Sequence, residues 1–383
     1  MMQPTEMSRS LNHIVQSPCL LRQLLKPLQD AVRLCLTAEK EKSWFPGLPV
    51  LVHLFACIRF QIAQMHSLRE VVQVHESDQK KGALGKLSVL RRSTFAEANN
   101  SRRRLRVIRE VFAALVESSQ RVPRKWRRLK NIAALDATIL HAVTSADWAD
   151  YRKNVNACKG HLLFDLARSA PKQIVLTAGR THDRRAFPNF LAKGWTYIVD
   201  RAYNDYKLFD AIESLGAYFV TRMKVGAVYQ VIKKHRVNRG HRTAGVISDQ
   251  TILLGQGSTR MASPVRWVRF QTPDGNIYDY ITNRFDLSAL TVAELYRARW
   301  GIEIFFKWLK RTLRMERPLG RSAVAYEMHV LMTLITDILL KIFCSLPPAR
   351  RHTPVVLLRF IRENLFSRLS KELIRCIIQL GQT

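Results

Sequence analysis

Residues 296–310 read Tyr-Arg-Ala-Arg-Trp-Gly-Ile-Glu-Ile-Phe-Phe-Lys-Trp-Leu-Lys. The stretch has the period of a helix. Leu295, Ala298, Ile302, Phe305, Phe306, Leu309 and Leu313 recur at three- and four-residue steps and form one apolar stripe. Upstream, Thr291 and Glu294 have the spacing of a capping box, so the helix is expected to open there. Tyr296, Arg299, Glu303 and Lys310 fall on a second stripe, rotated by roughly 100° from the first. It places an acid among bases. Two readings fit: a solvated face whose ion pairs are worth ~0.2 to 0.5 kcal/mol each, or a carboxylate that holds a metal ion while its neighbours grip phosphate.

Working outward, the chain has 383 residues, enough for two or three structural units. With 47% hydrophobic and 24% charged residues it is globular rather than disordered. Its 62 Lys and Arg stand against 30 Asp and Glu, a formal net charge of +32. Such an excess repels itself unless a polyanion shares the surface, and nucleic acid is a better candidate than an anionic membrane. The six cysteines show no paired C-x-x-C spacing, which argues against a zinc ribbon or redox dithiol and for small buried side chains in a reducing compartment. The first residues lack a basic-then-apolar leader pattern, so a cytoplasmic location is expected. The apolar windows Leu48–Ala63 and Val330–Leu346 are interrupted by charge, whereas a membrane span needs about 20 mostly uncharged residues; both are expected to be buried helices.

The N-terminal third reads as helical. Arg91 and Arg92 precede Ser93 and Thr94, either of which is expected to cap a helix carrying Asn99, Asn100, Arg102, Arg103 and Arg104. That suits a helical DNA-binding module; a packing unit with a basic exterior is the alternative. A basic run follows at Arg121, Arg124, Lys125, Arg127, Arg128 and Lys130, with Trp126 within it as a possible stacking residue.

Next comes Ile132-Ala-Ala-Leu-Asp-Ala-Thr-Ile-Leu140, an apolar run of strand length with one acid, Asp136. A lone carboxylate there is costly unless it is ion-paired or ligates a metal. A hairpin is expected over 161–178, a helix near 183–193, and a strand over 195–199 that delivers Asp200 at its carboxyl end, the edge where sites assemble in open α/β sheets. Asp205 lies past that strand, where an acid has an ordinary helix-capping role. Residues 224–290 are rich in β-branched and turn residues and carry a second basic cluster. Helices are expected over 323–344 and 354–380.

The spacing Tyr296, Arg299, Glu303, Lys310 resembles the tyrosine-arginine-glutamate-lysine signature of bacterial insertion-sequence transposases of the Asp-Asp-Glu class, the IS-four family. Ile281–Ser288 and Arg299–Lys307 are similar to that family's sequence as well. Val199-Asp-Arg-Ala-Tyr-Asn-Asp-Tyr206 resembles its second-aspartate motif, with Ala202 where a glycine is common. The resemblance runs from about Leu68 to Leu346. It implies an α/β fold with a ribonuclease-H-like core of mixed sheet and flanking helices, a β-rich insertion and a helical N-terminal DNA-binding region.

Expected boundaries are 1–130 for the helical region with its basic linker, 131–223 for the first part of the core, 224–290 for the insertion, 291–346 for the glutamate helix and its successor, and 347–383 for a C-terminal helical region. Asp136, Asp200 and Glu303 are the expected catalytic residues and metal ligands, holding two Mg2+ or Mn2+ ions. Tyr296, Arg299, Lys307, Lys310, Arg201, Tyr203, Arg91 and Arg92 are the expected DNA contacts. Trp300 and Trp308 are read first as packing residues, with base stacking the alternative. The implied activity is DNA cleavage at element ends and transfer of the freed 3'-hydroxyls to target DNA, with a homodimer in the synaptic complex. A nuclease of the same fold and a catalytically silent DNA-binding protein are the alternatives.

Overall fold

The computed structural model describes residues 18–80, 90–118, 129, 131–141, 147–152, 155–345, 353–356 and 358–359. The basic run 121–128 with Lys130, and almost all of the expected helix 354–380, lie outside the described residues. The chain forms two compact units, one of residues 1–120, 142–148 and 307–383, the other of residues 121–141 and 149–306.

Helices build the first unit. Val50–Ile62 is apolar on nearly every side, so it is a core helix: eleven of its residues are buried. Ala323–Ser345 is long and apolar enough to cross a membrane by length and composition, and 78% of its most apolar window is buried inside the protein. Several polar groups in this interior are paired. Gln61 donates to Thr333 Oγ1 at 2.7 Å and accepts from Thr336 at 2.7 Å, and Asp337 accepts from Trp308 Nε1 at 2.9 Å while lying 2.8 Å from Lys341 Nζ.

The helix expected to carry Asn99, Asn100 and Arg102–Arg104 is divided. Arg92–Asn100 and Arg102–Ser118 meet at Ser101, whose backbone leaves helical geometry and whose Oγ accepts the Arg104 N–H at 3.2 Å. The first helix begins after Arg91, not at Ser93 or Thr94. The break turns Asn99 and Arg104 inward. Asn99 donates to the Phe95 carbonyl at 2.9 Å, and Arg104 donates to the Leu48 carbonyl at 2.6 Å with its guanidinium 4.2 Å from the Phe45 ring. Arg91, Arg92, Asn100, Arg102 and Arg103 stay exposed.

The second unit is built on one mixed sheet, with ten strands among the described residues: β1 (Ile132–His141), β2 (Asp150–Arg152), β3 (Val155–Asp165), β4 (Ala170–Ala178), β5 (Thr196–Ile198), β6 (Tyr218–Arg222), β7 (Tyr229–Lys234), β8 (Val246–Leu254), β9 (Val265–Gln271) and β10 (Ile277–Thr282). β4, β3 and β1 pair antiparallel, and β1, β5 and β6 pair parallel. This is the expected ribonuclease-H-like arrangement. The insertion continues the same sheet: β10 pairs antiparallel with β6, and β9, β8 and β7 follow to the far edge. At the turn into β8, Gly245 has φ +107° and a Cβ there would lie 2.2 Å from the Gln271 carbonyl, so only glycine fits. The core on one face of the central strands gathers Ala133, Leu135, Tyr197, Phe187, Phe209 and Phe219, the last two stacked at 4.1 Å.

The signature helix starts earlier than its capping box implied. Ser288 is the N-cap, accepting the Thr291 N–H at 3.0 Å, and the helix runs Ala289–Ala298. A second helix, Trp300–Arg311, follows at once. At the joint the bonding steps tighten to i→i+3, with Arg299 N donating to Tyr296 O and Ile302 N to Arg299 O. The apolar stripe survives the joint: Leu295, Ile302, Phe305, Phe306, Leu309 and Leu313 are all buried.

Candidate active site

Along β1, Ala133 and Leu135 enter the aromatic core, so alternation sends Asp136 to the opposite face with Ala134. Ala134 pairs with Phe164, whose ring lies 4.8 Å from Phe305 of the helix that carries Glu303. Asp136 therefore faces the signature helix. Its Oδ1 accepts the N–H of Ala137 at 2.8 Å. Asp200 follows β5 and caps a 3-10 turn, Arg201–Tyr203, with Oδ1 accepting the Ala202 N–H at 2.7 Å. That turn is right-handed, so alanine at 202 brings no backbone strain. Glu303 sits in the first turn of Trp300–Arg311.

Arg299 joins two of these acids. Its Nη2 donates to Glu303 Oε1 at 2.6 Å, and its Nη1 lies 3.6 Å from Asp136 Oδ2. The three side chains are only 13%, 22% and 27% exposed for Arg299, Asp136 and Glu303, shielded enough for their charges to act strongly on one another. Burial pushes the Asp136 carboxyl up to about 6; the charges of Asp200 and Glu303 push the same way, against the Ala137 N–H and Arg299. Behind the acids, Lys159 Nζ lies 2.9 Å from Asp183, and His161 bonds Thr177 at 2.9 Å, with burial pulling its imidazole down to about 4.

The donor chemistry suits a hard divalent cation: carboxylate oxygens, no thiol, and an Asp136 carboxyl that burial raises above its ordinary value. Among the described residues, the buried hydroxyl of Tyr203 has no hydrogen-bond partner, and it lies within the field of Asp183, Asp136 and Asp200. Among the described residues, no three acidic, His or Cys side chains are grouped closely enough to hold an ion as they stand. A guanidinium joins Asp136 to Glu303 instead.

The expected DNA contacts divide. Arg201 and Lys307 are exposed, and so are Arg91 and Arg92 in the helical unit. Lys310 lies 2.9 Å from Glu316. Tyr296 is half-buried, with its ring 5.0 Å from Tyr280 and 5.7 Å from the Arg299 guanidinium. Tyr203 is a correction: it is 1% exposed and packs edge-on against Phe187, because the turn after Asp200 folds it back into the aromatic core. Trp300 is the opposite correction, 52% exposed rather than packed. Trp308 packs as expected, with its indole N–H on Asp337.

Beside Arg299 opens a cavity of about 470 Å3, lined by Arg222, Tyr278, Tyr280, Tyr296, Arg297 and Trp300 among others. Arg222 lies 4.5 Å over the Tyr278 ring. None of the β-strand members of this wall was singled out from sequence, although Tyr278 and Tyr280 alternate on one strand face and Arg222 ends β6.

A ribonuclease-H-like sheet that carries acids at its central strands, faced by Arg299 at the helix joint, is an arrangement suited to nucleic-acid processing. Residues 127–336 match the family described as the transposase DDE domain, and the chain belongs to it. It is a transposase, a metal-dependent enzyme that cleaves DNA and transfers the cut strand. It is 28% identical over 265 residues to a Sinorhizobium fredii protein described as transposase y4zB, covering 67% of this chain and 74% of that one. It is 25% identical over 259 residues to the Geobacillus stearothermophilus transposase for insertion sequence element IS5377, covering 67% and 68%. To the Synechocystis transposase for element IS4SA it is 24% identical over 290 residues, covering 73% and 79%. Among solved structures, a piggyBac transposase synaptic complex with hairpin DNA aligns over 97% of this chain and 81% of that one, at 10% identity and a TM-score of 0.46.

Proposed function

We propose that this transposase acts at the ends of an insertion sequence, using Asp136, Asp200 and Glu303 as its catalytic, metal-holding carboxylates and joining the freed 3'-hydroxyls to target DNA. The observation that carries the assignment is the electrostatic tie among the three acids: Asp200 and Glu303 both act on Asp136, and one guanidinium bridges Asp136 and Glu303. Asp136, Asp200 and Glu303 would hold two Mg2+ or Mn2+ ions, which would supply activation of the attacking oxygen and stabilisation of the leaving one. The side chains do the rest. Asp136, fixed by its backbone contact, and Asp200, fixed by its capping bond, present oxygens from a rigid sheet edge. Arg299 and Tyr296 orient the phosphate backbone, with Arg201, Lys307 and Lys310 adding positive charge along the strand.

Arg91 and Arg92 serve end binding in the helical unit, supported by their exposure at the start of Arg92–Asn100. The cavity beside Arg299 has aromatic faces and guanidinium groups suited to an unstacked base next to its phosphate. The protein works in the cytoplasm, as a homodimer on paired element ends. Glu303→Gln tests the assignment, since it removes an anionic ligand without changing shape. Cleavage of end-bearing DNA should fall by about three orders of magnitude while end binding persists. Retained cleavage would remove Glu303 from the metal-holding set. An assay with element ends and a target plasmid reads strand transfer directly through its joined products.

A further inference from the structure

We propose that Arg299 is the resident counter-ion of the acid cluster: without divalent metal it holds Asp136 and Glu303 together, and metal must displace it to bind. This inference rests on the reading of those carboxylates, with Asp200, as the metal-holding set. The geometry is that of a cation shared between two anions, one guanidinium nitrogen 2.6 Å from Glu303 and the other 3.6 Å from Asp136. An exposed i,i+4 pair on a helix contributes little, but this one is largely shielded and spans two elements, the central strand and the signature helix.

Repulsion supplies the reason for the arrangement. Asp136 and Glu303 converge on the one guanidinium, and each is less than a third exposed, so solvent screens little of their repulsion. Removing the guanidinium would leave the acids without their shared counter-ion and open to another cation.

Arg299 is also built to leave. It stands at the i→i+3 joint between the two helices, and its Nε is buried without a hydrogen-bond partner, so its donors are not all spent on the acids. It lies in the wall of the cavity as well, beside Tyr296 and Trp300. A guanidinium released from the carboxylates is thereby free to take a phosphate as a two-pronged partner.

The test reads metal binding rather than turnover. Full-length protein without DNA is titrated with Mn2+, and free Mn2+ is followed by its electron paramagnetic resonance signal. Arg299→Gln should bind Mn2+ at least about tenfold more tightly than the wild type, since a charge-assisted pair no longer competes. In EDTA the same variant should melt at a lower temperature, and Mn2+ should restore the loss. Equal or weaker Mn2+ affinity in Arg299→Gln overturns the inference. If that variant does not fold, Arg299→Lys carries the test, because a single ammonium does not span both carboxylates; its Mn2+ affinity should rise a few-fold, and no rise overturns the inference. Glu303→Gln separates the two levels. If it binds Mn2+ as well as the wild type, the metal-holding assignment fails; if it loses Mn2+ while Arg299→Gln gains nothing, only the counter-ion role fails.

Discussion

Arg266 meets Asp249 as a two-pronged ion pair between neighbouring strands, Nε to Oδ1 at 2.8 Å and Nη2 to Oδ2 at 2.6 Å, with both side chains 9% exposed. Arg266 also donates to the carbonyl of Leu287, the residue before the Ser288 cap. The pair therefore ties the inserted strands to the start of the signature helix. Arg266→Met would leave Asp249 buried without its partner and should cost ~3 to 5 kcal/mol in urea unfolding. Replacing both residues by apolar ones should recover much of that loss. A single-variant cost below about 1 kcal/mol would show that the pair anchors nothing.

Asp200 and Asp205 lie close in sequence and each caps the element after it, but only Asp200 is proposed to hold metal. Asp205 caps the helix Tyr206–Ser214 through Leu208 N at 3.3 Å and pairs with Arg184 at 2.9 Å. Asp205→Ala should cost ~1 kcal/mol of stability and leave DNA cleavage in place. Asp200→Asn retains an acceptor for the Ala202 N–H yet should abolish cleavage. A cleavage assay that found the reverse order would exchange the two assignments.

Trp300 is half exposed at the rim of the cavity, so Trp300→Ala should change stability by no more than about 0.5 kcal/mol. Its effect is expected on DNA with unpaired bases. Fluorescence anisotropy should show a loss of ~1 to 3 kcal/mol for DNA carrying a short single-stranded end, and a smaller one for intact duplex. Equal losses on both would point to charge or packing rather than stacking.

Burial pulls His329 down to about 4, and its ring bonds the Arg314 carbonyl at 3.1 Å. The folded-state value lies below the unfolded one of about 6.5, so the unfolded chain takes up the proton first as pH falls. Stability from this group is complete above pH 6.5 or so and is lost down to about pH 4, by ~1.4 kcal/mol per pH unit. His161, pulled down to about 4, shares that window, and His53, pulled down to about 3, shares it and extends it downward. In urea titrations over that range, His329→Gln should reduce the slope by about one proton's worth. An unchanged slope would mean that the imidazole is protonated in the folded protein.

Local pattern is what singles out the three proposed acids. Asp136 was visible as one acid in an apolar strand, Asp200 as the residue after another, and Glu303 as an acid one turn beyond an arginine. Each signal lies within a few residues. Tyr203, Asn99 and Arg104 misled for the opposite reason, because polar or basic residue types were read as surface while a turn after Asp200 and a break at Ser101 sent them inward.

Element type, the acids and the excess of positive charge follow from the sequence by itself, since periodicity, burial cost and Coulomb repulsion act on neighbours along the chain or on composition. Only the tertiary structure decided that the inserted strands extend the core sheet, that Arg299 bridges Asp136 and Glu303, and that a cavity opens between β10 and the signature helix. Those outcomes depend on strand register and on which faces meet between elements apart in the chain, by 163 residues for Asp136 and Arg299, and no local preference encodes such a partner.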